Sequence, residues 1–268
     1  MGTGGFGLAS DQLLGMKPVE VSLELNGWRI LPPGSYKLNA VSARVFVRTN
    51  NNPLPTRCDM HSYGGRPITL RSNDVEFQVI KADPEWQVAQ LAAAKAVLDA
   101  PGSATEKMKH AVGVLMFLDS EASTRELVRR FWSKDQPYGW DMGLGLFYST
   151  YRAAAIEEMK SSLKDPRHPV TKDFVELLAA REMQGELKHR LPEREAISKE
   201  AWQKVYDADW AELQRRSAEY IAVAASVLRS KGGAAQAVTA SELLESTPDA
   251  TAETKAQWRR QLISSWDP

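Results

Sequence analysis

What this chain lacks bounds it first. Its 268 residues hold a single cysteine, Cys58. One thiol excludes an internal disulfide and any cysteine cluster for structural zinc. Neither sign of charge is in excess, because 34 Lys and Arg balance 34 Asp and Glu. A face that tracks a phosphate backbone needs surplus cations, so nucleic acid is not an expected partner. No apolar run approaches the ~18 residues that suggest a membrane-spanning helix. The opening stretch MGTGGFGLASDQLL has neither the charged start nor the apolar core of a signal peptide.

Chemistry-bearing patterns are just as scarce. The four histidines, His61, His110, His168 and His189, form no i, i+4 pair, and HExxH, GxSxG and Walker sequences are missing. Gly2 to Gly7 matches GxGxxG literally. The dinucleotide loop needs a strand before it and a helix after it, and here the motif reads as an irregular terminus. Cys58-x-x-His61 could begin a zinc site but has no partner pair in sequence. Glu157 and Glu158, adjacent on a helix, are expected on different faces, so they do not read as paired carboxylates. His168, between Pro166 and Pro169, is expected to face solvent or cap its loop. No catalytic residue, no cofactor and no metal is expected, and the chain is read as non-enzymatic.

What is present falls into two parts, 1–82 and 83–268. Val19, Val21, Leu23 and Leu25 alternate with polar residues, the pattern of a strand with one wet face. Asn26-Gly27 marks a hairpin, with Trp28 to Leu31 returning beside it. Tyr36, Leu38 and Ala40 share one parity, whereas Val41, Ala43, Val45 and Val47 share the other. The change predicts a bulge or break at Ala40–Val41. Ile68 and Leu70 mark a further strand, and Val75, Phe77 and Val79 a last one. Thr49 to Arg66 between them reads as a long loop.

From Asp83 onward the period is that of helices. Asp83 suits an N-cap and Pro84 the first helical position. Trp86, Leu91, Ala94 and Leu98 line the first helix. Met108, Ala111, Val112, Leu115 and Leu118 line the next, after a capping-box pattern at Ser103 to Glu106. Leu127, Val128 and Phe131 follow. Gly143 to Met183 reads as helix, tight turn, helix, Pro-bounded loop, helix, with stripes of Ile156, Met159, Leu163 and of Val170, Phe174, Leu177, Leu178. A long helix starts at Ser198, carries Trp202, Tyr206, Trp210, Leu213, Ser217, Ile221, Ala224 and Leu228, and stops at Gly232-Gly233. A second capping-box pattern, Thr239 to Glu242, precedes a final helix with Trp258, Leu262 and Ile263. One apolar stripe per helix and short connections describe stacked helical hairpins.

Two resemblances accompany these patterns. Leu25-Asn26-Gly27-Trp28, Pro33-Gly34-Ser35-Tyr36 and Ser72 to Phe77 resemble the C-terminal half of an immunoglobulin-like β-sandwich module of exported bacterial proteins. Its missing strands are expected upstream. Leu115 to Asp119 before Glu126-Leu127-Val128, and Asp165 with Val170, Phe174 and Leu178, resemble HEAT or armadillo-type repeats, although Thr171 stands where such repeats often place a basic residue. The resemblance implies an antiparallel β-sandwich-like module followed by an α-α superhelix, in an α+β chain of two parts. It also implies an extracytoplasmic, periplasmic or secreted, location.

Seven rings fall between Phe131 and Tyr151. Such rings fill inter-helix junctions or serve as binding platforms. Trp132, Tyr138, Trp140, Tyr148 and Tyr151 are the candidate binding residues, with Tyr138 and Tyr148 expected to be exposed because they break the stripes. The expected role is scaffolding or binding of a protein partner. The alternative is a carbohydrate or envelope-polymer accessory role, and an enzyme with a helical catalytic domain stands behind both.

Overall fold

Alternating residues before Asp83 form strands and the 3.6-residue pattern after it forms helices in the computed structural model, which describes residues 31–48, 65–187, 198–247 and 249–264. The chain divides into two units, Met1–Lys81 and Ala82–Pro268.

In the first unit, β1 (Gly34–Leu38) pairs antiparallel with β4 (Val75–Val79), and β2 (Val41–Arg48) with β3 (Gly65–Arg71). The registers Gly34↔Val79, Leu38↔Val75, Val41↔Arg71 and Arg48↔Gly65 run end to end as one ribbon. Between the ladders Ser72 N donates to Ala40 O at 2.9 Å. The break falls at Asn39–Ala40, where the apolar parity changes, and a second irregularity lies between Ser42 and Val45. Tyr36 stacks on Phe77 across the ribbon at 5.6 Å. Among the described residues this unit is a small open ribbon and not a pair of facing sheets. Leu38, Val41, Leu70 and Val75 remain exposed, and two strands alone are marginal in water. Gly65 and Arg66, expected in the loop, instead open β3, because they pair with Arg48 and Val47. The expected strand Val19 to Leu25, the Asn26-Gly27 turn, the GxGxxG stretch, Cys58 and His61 lie outside the described residues.

The second unit consists of α1 (Pro84–Asp99), α2 (Thr105–Phe117), α3 (Glu121–Arg130), α4 (Gly139–Tyr148), α5 (Arg152–Lys164), α6 (Lys172–Leu187), α7 (Lys199–Val227), α8 (Gly233–Ser246) and α9 (Ala252–Ser264). Asp83 caps α1 through Glu85 N at 2.8 Å, with Pro84 in the first turn. Ser198 caps α7 through Ala201 N. Neither expected capping box forms. Ser103 Oγ donates back to Val97 O and Ala100 O, leaving Ala104 as the α2 cap. Thr239 lies inside α8, where its hydroxyl accepts from Val170 N. The box that does form pairs Ser120 with Ser123 at the start of α3. The long helix ends at Val227 in a 3-10 turn, Leu228–Ser230, and Gly232 caps α8 instead of ending α7.

Helices pack on their next-but-one neighbours as well as their next. α2, α4 and α6 touch in sequence, as do α3, α5 and α7. That pattern makes two layers and is repeat-like. Phe131, Phe174, Leu115, Leu127, Leu146, Met159, Leu178, Leu228 and Leu243 are fully buried between them. One apolar cluster runs from Ala94 in α1 to Trp258 in α9. The aromatic start of the expected stripes is different. Trp86, Tyr206 and Trp210 are exposed, because the parts of α1 and α7 that carry them lie at the rim of this cluster.

The connections form ladders of their own. At one end of the helices, Tyr138 donates to Thr105 O at 2.9 Å, Thr171 Oγ1 to Trp132 O, and Ser133 Oγ to Asp173 at 3.1 Å. Lys231 Nζ continues the series, donating to Asp165 O and His168 O at 2.8 and 2.7 Å. At the other end, Thr150 donates to Asp119 at 2.8 Å, and Thr124 and Ser149 hydroxyls meet at 2.7 Å. These connections therefore bond to the one after next, as α2 to α7 do.

Charge follows the same path. Lys95 and Arg130 meet Glu126 and Asp99 between α1 and α3, and Arg125 and Arg129 meet Glu158 between α3 and α5. Lys160, Glu182, Arg216 and Glu186 continue it through α6 to α7. Glu157 and Glu158 both reach Arg125, so they share one target and do not diverge. Burial raises the Glu158 carboxyl, but hydrogen bonds from Arg125 and Arg129 outweigh it and hold it below the usual range. His168 is buried, not exposed. Its ring sits 4.7 Å from that of Phe174. Burial, and then the charge of Lys231, push its pKa down to about 4.

Candidate functional site

α4 has two faces. Gly139, Met142, Gly145 and Leu146 are buried. Gly145 allows close approach: a Cβ there would lie 2.7 Å from Met116 Cγ on α2 and 3.2 Å from Leu127 Cδ1 on α3. The opposite face carries Trp140, Leu144, Phe147 and Tyr148. Trp140 is 60% and Tyr148 66% exposed, and Tyr151 in the turn after α4 is 38% exposed. Phe147 and Tyr148 meet edge to face at 5.2 Å. Trp140 and Tyr148 are eight residues apart, which is about 12 Å along a helix.

Of the five candidate rings, these three are therefore left exposed to solvent. Trp132 and Tyr138 are not. Trp132 is half-buried, with its carbonyl taken by Thr171 and its N–H by Gln136 at 2.8 Å. Tyr138, expected to be exposed, is half-buried against the core and bonded to Thr105 O. It starts α4 with φ 59°, a left-handed conformation, and Gly139 follows because a Cβ there would meet Ser133 O at 2.0 Å. The backbone at this sharp entry turns Tyr138 inward. Phe131 is core, 6.4 Å from Phe174.

The C-terminal end of α4 is held by Arg181 of α6, a residue at a stripe position after Phe174 and Leu178. Only 3% of it is exposed. It donates to Phe147 O at 2.7 Å, to Ser149 O at 2.8 Å and to Gln184. Its Nε has no partner. Burial, then the nearby Arg152 guanidinium, push its pKa down to about 10. Arg152 opens α5, where no side chain caps the helix and the first turn holds no acid. Its guanidinium lies over Gly185, where a Cβ would sit 1.8 Å from the nearest nitrogen. Sequence reasoning passed over both arginines. The readable signals were a charge in the α6 stripe and a cation where helix starts favour acids.

No family model, curated protein or solved structure matches the chain.

A cleft of about 370 Å³ opens elsewhere, between α6, α7, α8 and α9, lined in part by Val175, Glu176, Gln214, Ser217, Ile221 and Trp258. Glu176 there faces Lys172 at 3.8 Å, and Ser217 Oγ has no hydrogen-bond partner. Among the described residues no three His, Cys, Asp or Glu side chains are placed to hold a metal. None of the described helices is long and apolar enough to cross a membrane.

Proposed function

We propose that this is a non-enzymatic scaffolding protein whose helical array presents the outer face of α4 to a protein partner. A packed helical-repeat architecture suits an interaction fold in general terms. The single observation that carries the finer reading is the pair Trp140 and Tyr148, large rings left exposed on a helix whose other face is locked into the core. Rings of this kind supply contact area at small entropic cost and dominate protein interfaces. The reading extends the resemblances: HEAT or armadillo-type repeats for the array, an immunoglobulin-like module for the strands before it, and an extracytoplasmic location.

The experiment is affinity capture from an envelope fraction of the source organism, comparing wild type with a Trp140→Ala, Tyr148→Ala double variant. Both positions are exposed, so the melting temperature should hold within about 2 °C, as for surface substitutions generally. Loss of a specific protein in the double variant is the expected result. Equal capture by both forms refutes the reading. Retention of a polysaccharide in place of a protein would install the carbohydrate-binding alternative.

A further inference from the structure

Most arginines in the middle of the array are tied to carboxylates, among them Arg125, Arg129, Arg130, Arg215 and Arg216. Arg152 and Arg181, like Arg229, Arg259 and Arg260, have no carboxylate partner among the described residues, and these two also lie close enough to repel one another. They meet at the start of α5, a helix of 13 residues whose N-terminus has neither a side-chain cap nor an acid in its first turn. A helix start carries a partial positive charge and free N–H groups. Three positive features thus converge on one junction with no carboxylate bonded to them among the described residues. Arg181 is nearly wholly buried, with its Nε unpartnered. Gly185 is the second built feature, because any side chain there would displace the Arg152 guanidinium from α6.

We infer that the α4–α5 junction receives a carboxylate from an acidic segment of a partner polypeptide, which also lays an apolar side chain on the α4 face. This rests on the protein-binding reading of α4. Arg152 presents its guanidinium fork to the carboxylate, and the amides of the first α5 turn complete the cradle. A single negative charge matches a single accessible arginine. A polyanion would call for a wider basic surface than this electrically balanced chain supplies. Tyr148 and Tyr151 adjoin the junction, and Trp140 lies about 12 Å further along α4. An extended chain covers that distance in about four residues at 3.3–3.6 Å each. The matching segment therefore carries Asp or Glu and a bulky apolar residue about four positions apart, in either chain direction.

The test is an NMR titration of the ¹⁵N-labelled full chain with the blocked peptides Ac-LSGSE-NH2 and Ac-ESGSL-NH2, their Gln-for-Glu counterparts, and inorganic phosphate. One Glu peptide should move the Ala153 and Ala154 amides together with the Trp140 indole N–H. Its Gln counterpart should bind about tenfold more weakly, as loss of a charge-assisted pair implies. Arg152→Ala should weaken the Glu peptide by a similar factor, and Arg152→Lys by less, because it keeps the charge and loses the fork. Arg152 has no ion pair to lose, so both variants should keep the wild-type melting temperature. Equal binding of Glu and Gln peptides, unchanged affinity in Arg152→Ala, or phosphate acting at lower concentration than either peptide would each overturn the inference. Movement of the Trp140 indole without the Ala153 and Ala154 amides would also overturn it while leaving the α4 face as a protein-binding surface. Failure of that broader reading shows separately, as unchanged capture by the double variant.

Discussion

At the scale of single residues, the most consequential departure from expectation is His168. Two flanking prolines suggested a solvent-facing loop, but Lys231 reaches across from the end of α7 and takes the carbonyls of Asp165 and His168. The loop is thereby drawn onto the core, and the ring lands on Phe174. A neutral, buried histidine makes stability depend on pH in a defined window. Unfolded, the ring takes a proton as pH falls through about 6.5. Folded, it does so only near 4. Its contribution is therefore constant above 6.5 and is lost progressively from 6.5 down to 4, by up to roughly 3 kcal/mol. Glu158, Asp173 and Glu182, held ionised below their usual range, lose their contributions only at more acid pH. Thermal melts between pH 7 and 4.5 should show a decline in wild type and a flatter profile in His168→Gln. Parallel profiles would refute the assignment. Lys231→Met leaves the Asp165 carbonyl its bond from the His168 N–H but takes the donor from the buried His168 carbonyl, and should cost roughly 1–3 kcal/mol. It should also soften the acid decline, since the cation that helps keep the ring neutral is gone.

At the scale of elements, the helices were legible and their ends were not. The stripes through Val112, Leu115, Leu127, Phe131, Met159, Phe174 and Leu178 are all buried as their spacing predicts. Ends failed because a Ser or Thr hydroxyl serves whichever backbone group lies nearest in space. Ser103 turned back to α1, and Thr239 served a chain segment 69 residues away. The rings in α7 failed for a related reason. Periodicity places Trp202, Tyr206 and Trp210 on one side of the helix but does not say where the neighbouring helices end, and α7 has 29 residues against 16 in α6. Glycine supplies a sharper test of the α4 packing. Gly145→Ala meets mainly the movable Met116 side chain and should cost about 1–3 kcal/mol, as overpacking does. Gly139→Ala meets the Ser133 and Lys134 carbonyls and should cost more, because backbone cannot swing aside. Urea midpoints in the reverse order would show that α4 is not held as described.

At the scale of the whole molecule, loop bonding and helix packing share one pattern through the middle of the second unit: besides touching its neighbour, a part binds the part after next. Contacts among α2, α4 and α6 and among α3, α5 and α7 follow it, as do the loop hydrogen bonds, from that between Tyr138 and Thr105 to that between Lys231 and His168. The ion pairs from α1 through α3 to α5 follow it too, whereas those from α5 through α6 to α7 join adjacent helices. The two-part order of strands then helices could be read from the change of period at Asp83. The loop ladders could not, because they join residues 25 to 66 positions apart with no local pattern. The same limit hid Arg152 and Arg181, whose shared site exists only once α4, α5 and α6 are stacked. An array ordered in this way holds α4 rigidly by one face and leaves the other to solvent, and the central claim is that a protein partner occupies that outer face. The most direct measurement is photo-cross-linking in the source organism, with a photoreactive amino acid replacing Trp140 in one variant and Ala208, which is exposed on α7, in another. The account predicts a discrete adduct with one protein from position 140 and none from position 208. Equal adducts from both positions, or none from position 140, would contradict it.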